Sequence, residues 1–569
     1  MNELDVLVVG AGPTGLTLAV ELARRGISVR IIDKAPEPTS QSRAIVVHAR
    51  TLEILEDAGI ATALIEAGIP LCGATMWDAS AANEPPRMIV RATFDELDTR
   101  YPFLLSVSQA ETERVLARFA KDHGVTVERP VTFERLEVAS DHVTAVLTTA
   151  TGEERVRARY VVGCDGARSA VRKELGVTFE GSTYEEKFLL ADVRFRDAAI
   201  PTDAIAAFFA AEGLMGTFPM RDGRYRLIAT AAPDDEREDP PSLADVQALF
   251  NARTRSKAVL EDATWLARFR IHCRQVASYR RGRVFLAGDA AHIHSPAGGQ
   301  GMNTGMQDAN NLAWKLALAC RGKATDALLS SYHDERHAIG QAVLRSTDAA
   351  TRVGTIRNPV GRVVRNHLAR FLTSFEFVQQ RIVRQVAELT VGYEDSPIVG
   401  AEKSSMLSAR VGGREDADER PTILAWRRFD GGPKPGSRAP DGHCTVTPDS
   451  VAPKRLLSLL DTRRFHALLF DGRAATDEGY ARFEQIAAEL SRRYRGIVET
   501  VVVTPYQWRP TPLPDDIRVL FDVEGDLEAR YGADAECLYL LRPDLYVGYR
   551  SQPAKLDSLL AHLSKIIGG

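Results

Sequence analysis

No CxxC pair occurs anywhere in the 569 residues, and the six cysteines (Cys72, Cys164, Cys273, Cys320, Cys444 and Cys537) are scattered singly. Isolated thiols of this kind exclude a disulfide framework and a cysteine-ligated zinc site, and they suit a reducing compartment. The net charge is small, −4 at pH 7, which removes the electrostatic reason to expect nucleic acid as a partner. No uninterrupted apolar stretch is long enough to span a bilayer. Nor does a basic and then apolar leader precede the first strand, which begins at Leu4. These absences predict a cytoplasmic protein with no membrane partner. The length predicts three or four structural units with sizeable cores.

What is present is glycine in two arrangements nearly three hundred residues apart. The first is Gly10-Ala11-Gly12-Pro13-Thr14-Gly15, between the apolar run Leu4 to Val9 and a helical stretch, Leu16 to Arg25. Glycine at position 10 allows a tight turn after a strand, at 12 a close backbone approach by a diphosphate, and at 15 close helix packing. The helix N-terminus then offers N–H groups and partial positive charge to phosphate. Asp33 ends the next strand, Val29 to Ile32, where a carboxylate can accept the ribose hydroxyls. This constellation alone fits FAD and NAD equally.

The second arrangement separates them. Gly288-Asp289 follows the apolar run Val284 to Ala287, so Asp289 projects from a strand end, where it can accept hydrogen bonds from a polyol chain such as the ribityl linker of FAD. Next comes Ser295-Pro296-Ala297-Gly298-Gly299-Gln300-Gly301-Met302-Asn303. Its glycines permit close backbone approach to a flat ring, and Pro296 is a rigid surface without an N–H. A helix from about Asn303 to Cys320 would direct its N-terminus at the ring. A third element, Asp165-Gly166 with Ser169 and Arg172, follows the strand ending at Gly163. It reads either as part of the flavin and pyridine-nucleotide site or as a helix start capped by Asp165.

The fold class read from this pattern is α/β, α+β overall. A discontinuous Rossmann-like nucleotide domain takes residues 1–72, 109–176 and 281–400. A sheet domain of antiparallel strands is inserted at 73–108 and 177–280. Its clearest strands are Phe188 to Phe195, Ile205 to Phe209, Gly216 to Met220 and Tyr225 to Thr230. Residues 401–569 read as a Gly/Pro-rich linker and then a separate α/β unit beginning near Thr445.

With those motifs in that order, the chain resembles the single-component FAD aromatic hydroxylases, the para-hydroxybenzoate hydroxylase-like group A flavoprotein monooxygenases. The resemblance covers roughly residues 1 to 400, and its most specific part is GDAAHIHSPAGGQGMNTGMQDANNLAWKLA. It implies that Gly10, Gly12, Gly15 and Asp33 hold the ADP half of FAD, with Pro13, Thr14 and Lys34 beside them. Arg43 would reach the diphosphate and Gln109 the flavin's linker region. Asp165 belongs to the motif implicated in FAD and NAD(P)H handling, and Asp289 would take the ribityl chain. Pro296, Gly299 and the Gly301-Met302-Asn303 backbone would border the isoalloxazine. Residues 415–569 are similar to the C-terminal thioredoxin-like domain of the phenol and polyketide hydroxylase branch, through Tyr531-Gly532-Ala533 and Leu541-Arg542-Pro543-Asp544. With no CxxC after the Phe465 to Phe470 strand, that domain would serve structure or homodimer formation.

The activity implied is hydroxylation of a phenolic or polycyclic aromatic substrate with O2 and NADPH or NADH, through a flavin C4a-hydroperoxide. Where the phenol hydroxylase branch has an aspartate, this chain has Ile45. His48 is then the nearest titratable candidate for proton transfer, with packing against helix or cofactor as its other reading. His292 and His294 alternate and are expected on opposite walls of a loop. Phe208, Met215, Phe218, Met220 and Tyr225 are candidates for the substrate wall.

Rival readings differ in what they require. A flavin-dependent halogenase would carry a WxWxIP-like motif, but the five tryptophans are isolated. A disulfide oxidoreductase needs a cysteine pair beside the flavin. A reductase of the geranylgeranyl type and a non-catalytic flavin-binding assembly protein remain as alternatives.

Overall fold

The computed structural model describes residues 4–568 except 40–43, 82–83, 197–199, 232–234, 236, 296–297, 355, 357, 374, 403–422, 451, 473–476 and 512. The chain divides into two compact units, residues 1–313 with 336–389, and residues 314–335 with 390–569.

The first unit contains a mixed eight-stranded sheet. Five of its strands run parallel in the order Val284–Leu286, Gly152–Gly163, Leu4–Val9, Val29–Ile32 and Val127–Glu128. Leu4–Val9 is central, and its Val6, Leu7 and Val8 are wholly buried. A strand buried on both faces reads in sequence as one continuous apolar run, which is why it was visible there. The expected series of short strands up to Gly163 ends instead in one strand of 12 residues, Gly152–Gly163. Its first half pairs with the antiparallel hairpin of Thr132–Val138 and Val143–Thr149, and its second half joins the parallel layer.

A second eight-stranded sheet is antiparallel except where Ala204–Ala210 runs parallel to Gly73–Ala79. Strands at Phe179–Arg196, Ala204–Ala210, Gly213–Pro219 and Arg224–Thr230 occupy the positions at which alternation placed them. Two assignments differ from the sequence reading. Leu104–Ser106 leaves this sheet for a small three-stranded one with Val46–Val47 and Ile69–Leu71. His292–Ile293, inside the second glycine motif, forms the far edge by pairing with Arg274 and Gln275.

The second unit is built on a six-stranded sheet ordered Gly400–Ala401, Val547–Ser551, Cys537–Leu541, Phe465–Phe470, Val498–Thr504, Arg518–Phe521. Phe465–Phe470 is buried throughout. Phe465, Ala467 and Leu469 enter the core shared with Phe483, Ile486, Leu559 and Leu563, while Leu468 and Phe470 enter the other with Leu527 and Tyr531. Period-two alternation of a strand produces this division. The described residues of the expected linker are part of this unit. Gly400–Ala401 is an edge strand, Phe429 and Ala439 are core, and Tyr393 packs on Tyr546 with ring centroids 4.4 Å apart. Trp314, Leu318 and Leu328 also bury here.

Candidate functional site

The three glycines of the first motif do three different things. Gly10 has φ +104°, and a Cβ there would lie 2.4 Å from the Cys164 carbonyl oxygen and 2.8 Å from the Asp165 Cα. Only glycine allows the crossing of these two strand ends. A Cβ on Gly15 would stand 2.0 Å from the Gly10 carbonyl oxygen, so the helix Pro13–Ala23 rests directly on the turn. Gly12, the N-cap, has ordinary φ (−78°) and nothing within 4 Å of where a Cβ would be. The space in front of the helix N-terminus is open, as an anion site requires.

Thr14 joins the two distant motifs. A Cβ on Gly288 would lie 2.5 Å from Thr14 Oγ1, and one on Gly305 would lie 2.3 Å from it. The turn Gly288–Ala290 and the helix Gln300–Cys320 therefore close over the first motif, and only hydrogen fits at both glycines. Asp289 sits exposed on that turn at the end of the Val284–Leu286 strand. Asp308 anchors the turn from below. Its Oδ2 accepts from Gly288 N at 3.0 Å and lies 2.7 Å from His292 Nε2, and its Oδ1 accepts from Arg336 Nε at 2.6 Å. Burial opposes ionisation of Asp308, but Arg336 and His292 outweigh it and hold the carboxyl below the usual carboxylate range. Neither Asp308 nor Arg336 was identified from sequence. Asp308 lies within the quoted motif, but Arg336 has no local pattern around it.

Asp33 ends its strand as expected and is already engaged by the chain. Oδ2 accepts from Ala11 N at 2.8 Å, Oδ1 accepts from Ala35 N at 2.8 Å, and Arg129 Nη1 stands 3.1 Å from Oδ1. Each oxygen can accept more than one hydrogen bond, so capacity for a ribose hydroxyl remains. Lys34 is exposed beside it. Arg129 is a further residue missed in the sequence. Gln109 Oε1 accepts from Ala44 N at 3.3 Å, and its Nε2 donates to Glu113 Oε1 at 2.9 Å. It thus braces the segment that follows Arg43. Arg43 itself and Pro296 lie outside the described residues.

Asp165 braces the start of the next helix, whose N-cap is Ser169. Oδ2 accepts from Ala170 N at 2.6 Å and Val171 N at 3.2 Å, at the start of the helix Ala170–Glu174. Oδ1 is buried without a partner. An orphaned carboxylate oxygen beside the Gly10 turn leaves acceptor capacity for a ligand.

The loop before the Gln300–Cys320 helix turns through Gly298 (φ +84°) and Gly299 (φ +67°). The helix begins three residues before the expected Asn303. Asn303 is a cross-brace instead: Oδ1 accepts from His48 N at 2.9 Å, and Nδ2 donates to Val46 O at 2.8 Å and Gly299 O at 3.0 Å. His48 is thereby fixed against the Gly298–Gly299 loop as N-cap of the helix Ala49–Glu56. It is fully buried, and burial pushes its imidazole down to about 4. Gly301 and Met302 are partly exposed at the head of the long helix. His292 and His294 are not on opposite walls. Their rings stack at 6.1 Å with an interplanar angle of 10°, His294 standing one residue beyond the two-residue strand His292–Ile293.

Strand alternation also sorts the substrate-wall candidates. Met215, wholly buried, packs with Val246 and Phe250 of the helix Leu243–Thr254. Tyr225 is edge-on to Phe195 in the same layer, at 4.9 Å. Both are core against that helix, which corrects their expected place on the substrate wall. Phe208 is in register with Met215 and stacks on Trp77 at 6.2 Å. Phe218 and Met220 alternate onto the opposite, less covered face. Phe218 is paired there with Arg226, which makes a buried bidentate bond to Asp192, 2.8 Å for each contact. That ion pair was not foreseen, since its members are 34 residues apart on neighbouring strands.

A Rossmann-like sheet whose two glycine motifs meet at Thr14, with an open helix N-terminus between them, defines a flavin-nucleotide-binding protein. The FAD binding domain family matches residues 3–347, and the chain belongs to it. It is 34% identical to the 6-methylpretetramide 4-monooxygenase of Streptomyces rimosus, over 99% of this chain and 93% of that one. It is 31% identical to the pentachlorophenol 4-monooxygenase of Sphingobium chlorophenolicum, over 99% and 97%. Among solved structures it is similar to the anhydrotetracycline hydroxylase of Streptomyces rimosus, with TM-score 0.71 and 29% identity over 100% of this chain and 99% of that one. The chain is an FAD-dependent aromatic monooxygenase. Among the described residues no helix is long and apolar enough to cross a membrane, and no group of His, Cys, Asp or Glu could hold a metal ion.

Proposed function

We propose that the enzyme hydroxylates a phenolic or polycyclic aromatic compound, using NAD(P)H as reductant and O2 as oxygen donor. The observation that carries this reading is the closure of the second glycine motif over the first at Thr14, with Gly12 left open. Relatives that cover nearly the whole chain are named for a pretetramide and a chlorinated phenol, which supports an aromatic bearing an acidic hydroxyl. FAD, when bound, supplies the electron transfer and oxygen activation; the protein supplies binding, orientation and exclusion of water. Gly12, the helix N-terminus, Asp33 and the free oxygen of Asp165 would hold the ADP half. Asp289 would hold the ribityl chain, and the turn of Gly298–Gly299 with Gly301 and Met302 would border the ring. The Phe218 face of the second sheet would form the opposite wall, with an aromatic surface braced by the buried Arg226–Asp192 pair.

The test is a panel of phenols and polyketide aromatics given to FAD-loaded enzyme with NAD(P)H and labelled O2. Expected are substrate-stimulated NAD(P)H oxidation and one labelled oxygen in the product. Oxidation that no substrate stimulates, with no label incorporated, would refute the reading. Asp289→Ala is expected to weaken FAD binding by about tenfold to a hundredfold, since a hydrogen bond to a charged group contributes roughly 1.5–3 kcal/mol. Unchanged flavin retention would remove Asp289 from the ribityl site. His48→Ala is expected to lower hydroxylation by about a hundredfold with flavin content preserved, the usual scale for a lost acid–base group. Unchanged turnover would reduce His48 to a packing residue.

The second unit is proposed to be thioredoxin-like and redox-inert. The sequence of strand Phe465–Phe470, helix Asp477–Arg493, strand Val498–Thr504, helix Asp526–Tyr531, hairpin Cys537–Leu541 and Val547–Ser551, and helix Leu556–Ile566 supports the fold. Asp471 and Gly472 follow the first of these strands, where dithiol chemistry would need cysteine. Burial pushes the Cys444 thiol up to about 12 and the Cys537 thiol well above its ordinary value, so both are poor nucleophiles,.

A further inference from the structure

Glu388 belongs to no motif, yet its side chain reaches the flavin loop. It follows the helix Glu376–Val386 in left-handed backbone, φ 60°, a conformation that costs a residue other than glycine about 1–3 kcal/mol. The carboxyl is buried. Oε2 accepts a short hydrogen bond from Gln307 Nε2, which also reaches Thr51 Oγ1 at 3.4 Å. Oε1 has no hydrogen-bond partner and stands 3.5 Å from His48 Nδ1. His48 is nearly as short of partners: neither ring nitrogen makes a hydrogen bond of ordinary geometry, and the Gly298 backbone, which favours a protonated ring, is an acceptor beside it. Its Nε2 edge lies against the glycine turn, where a Cβ built on Gly299 would be 3.7 Å away. The charged neighbours are Arg336, from the helix Asp326–Gly354, and Arg50, whose backbone N–H donates to Ala387 O. Arg336 is held by Asp308 and Arg50 by Glu53.

Burial raises the Glu388 carboxyl to about 8 and lowers the His48 imidazole to about 4. At neutral pH both are therefore uncharged, and Glu388 carries a proton. Gln307 donates to Oε2, so that proton belongs on Oε1, pointing to Nδ1. The imidazole's own proton is then left on Nε2, at the glycine turn.

We propose that Glu388 and His48 form a proton relay whose outlet is His48 Nε2 at the flavin loop, with Glu388 as the positioning residue that selects the imidazole tautomer. Release of one proton from Nε2 draws the Glu388 proton onto Nδ1 and leaves a carboxylate that accepts from Nδ1–H. In reverse, the Nε2 lone pair takes a proton from an acidic hydroxyl while Nδ1 returns its proton to Glu388. One proton crosses the pair in either direction, and no buried imidazolium forms. The role in substrate activation rests on the reading of His48 as the proton acceptor for a phenolic substrate.

The test is nuclear magnetic resonance of FAD-loaded protein labelled with 15N-histidine, the His48 signals being assigned by their loss in His48→Gln. The expected result is a neutral ring with Nε2–H well below pH 8 and Nδ1–H well above it, switching near the Glu388 value of about 8. Glu388→Gln, with flavin content equal to the parent, is expected to hold one tautomer throughout. It should also lower kcat roughly tenfold with KM unchanged and abolish the limb near pH 8 in the rate profile; Glu388→Asp should restore part of that limb. A parent His48 that keeps one tautomer across this range, or that becomes imidazolium near the ordinary histidine value, overturns the relay. A tautomer switch without substrate hydroxylation supports the relay and refutes the proposed reaction. Hydroxylation without a switch does the opposite.

Discussion

Valine at Gly12 is expected to give a folded protein that no longer holds flavin, whereas valine at Gly15 is expected to prevent the nucleotide sheet from assembling. The two positions are three residues apart in one motif, and the difference is steric. At Gly12 the backbone angles suit any residue and no atom lies within 4 Å of the new Cβ, so the fold meets no penalty. A valine would instead occupy the space in which a diphosphate must approach the helix N-terminus. We expect FAD affinity to fall at least about a hundredfold, or roughly 2.7 kcal/mol. At Gly15 the Cβ would lie 2.0 Å from a carbonyl oxygen of the backbone, and neither partner is a flexible side chain. The helix would have to lift from its strand, exposing Leu16, Leu18 and Val20, which are almost wholly buried. Overpacking of that severity costs about 3 kcal/mol or more. Far-UV circular dichroism and visible flavin absorbance, read together, separate the cases. Flavin binding at parental strength in Gly12→Val would place the diphosphate elsewhere.

Glu335→Ala is expected to lower the stability of the second unit by about 3–5 kcal/mol, the scale for stranding buried charge. Glu335 accepts from Lys315 Nζ at 2.7 Å, from Arg542 Nη1 and Nη2 at 2.6 and 2.9 Å, and from Ser396 Oγ at 2.6 Å. Arg542 is also bidentate to Asp544, which accepts from Trp314 Nε1 at 3.2 Å. Burial opposes the charge on Glu335, but Arg542 and Lys315 outweigh it and hold the carboxyl far below its ordinary 4.5. With the folded value depressed, its contribution is present above that ordinary value and is lost as pH falls through the carboxylate range. Urea titrations at neutral and acidic pH should therefore show a large difference between parent and Glu335→Ala at neutral pH and a smaller one in acid. A difference that stays constant with pH would mean the loss is packing alone. Replacing Glu335, Lys315 and Arg542 together by leucine and methionine, with Asp544→Asn so that the other partner of Arg542 is also neutral, should recover much of the stability, because no charge is then left unpaired,.

The parts of this molecule that were legible in sequence are those written in consecutive residues. The apolar run Leu4 to Val9 and the spacing of Gly10, Gly12 and Gly15 announce a strand, a turn and a helix start, and the Phe465–Phe470 strand was readable from composition alone. Contacts made across the chain were not. Nothing near Arg336 or Glu388 marks them as partners of Asp308 and His48, because each is brought there by a helix whose own pattern is satisfied elsewhere. The run from residue 400 to 443 looked like a linker because it is rich in Gly, Pro and charge. Phe429 and Ala439 nevertheless fill a core, since isolated apolar residues can be gathered by the surroundings without local periodicity. The substrate-wall candidates were chosen by side-chain type, large apolar residues with Tyr225 as a polar contact, a criterion blind to which sheet face a helix covers. Met215 and Tyr225 therefore lie in the layer against the helix, while Arg226, which was not among the candidates, stands beside Phe218.

The seat of Thr14 between Gly288 and Gly305 also sets an order of events on the ribosome. A nascent chain has completed the first motif once Gly15 is added, yet the two surfaces that close on Thr14, at Gly288 and Gly305, follow only about three hundred residues later. The central sheet likewise waits for its Val284–Leu286 strand. Capture of FAD is thus a late step of synthesis, and a chain released early would be unable to retain the cofactor despite possessing an intact glycine motif.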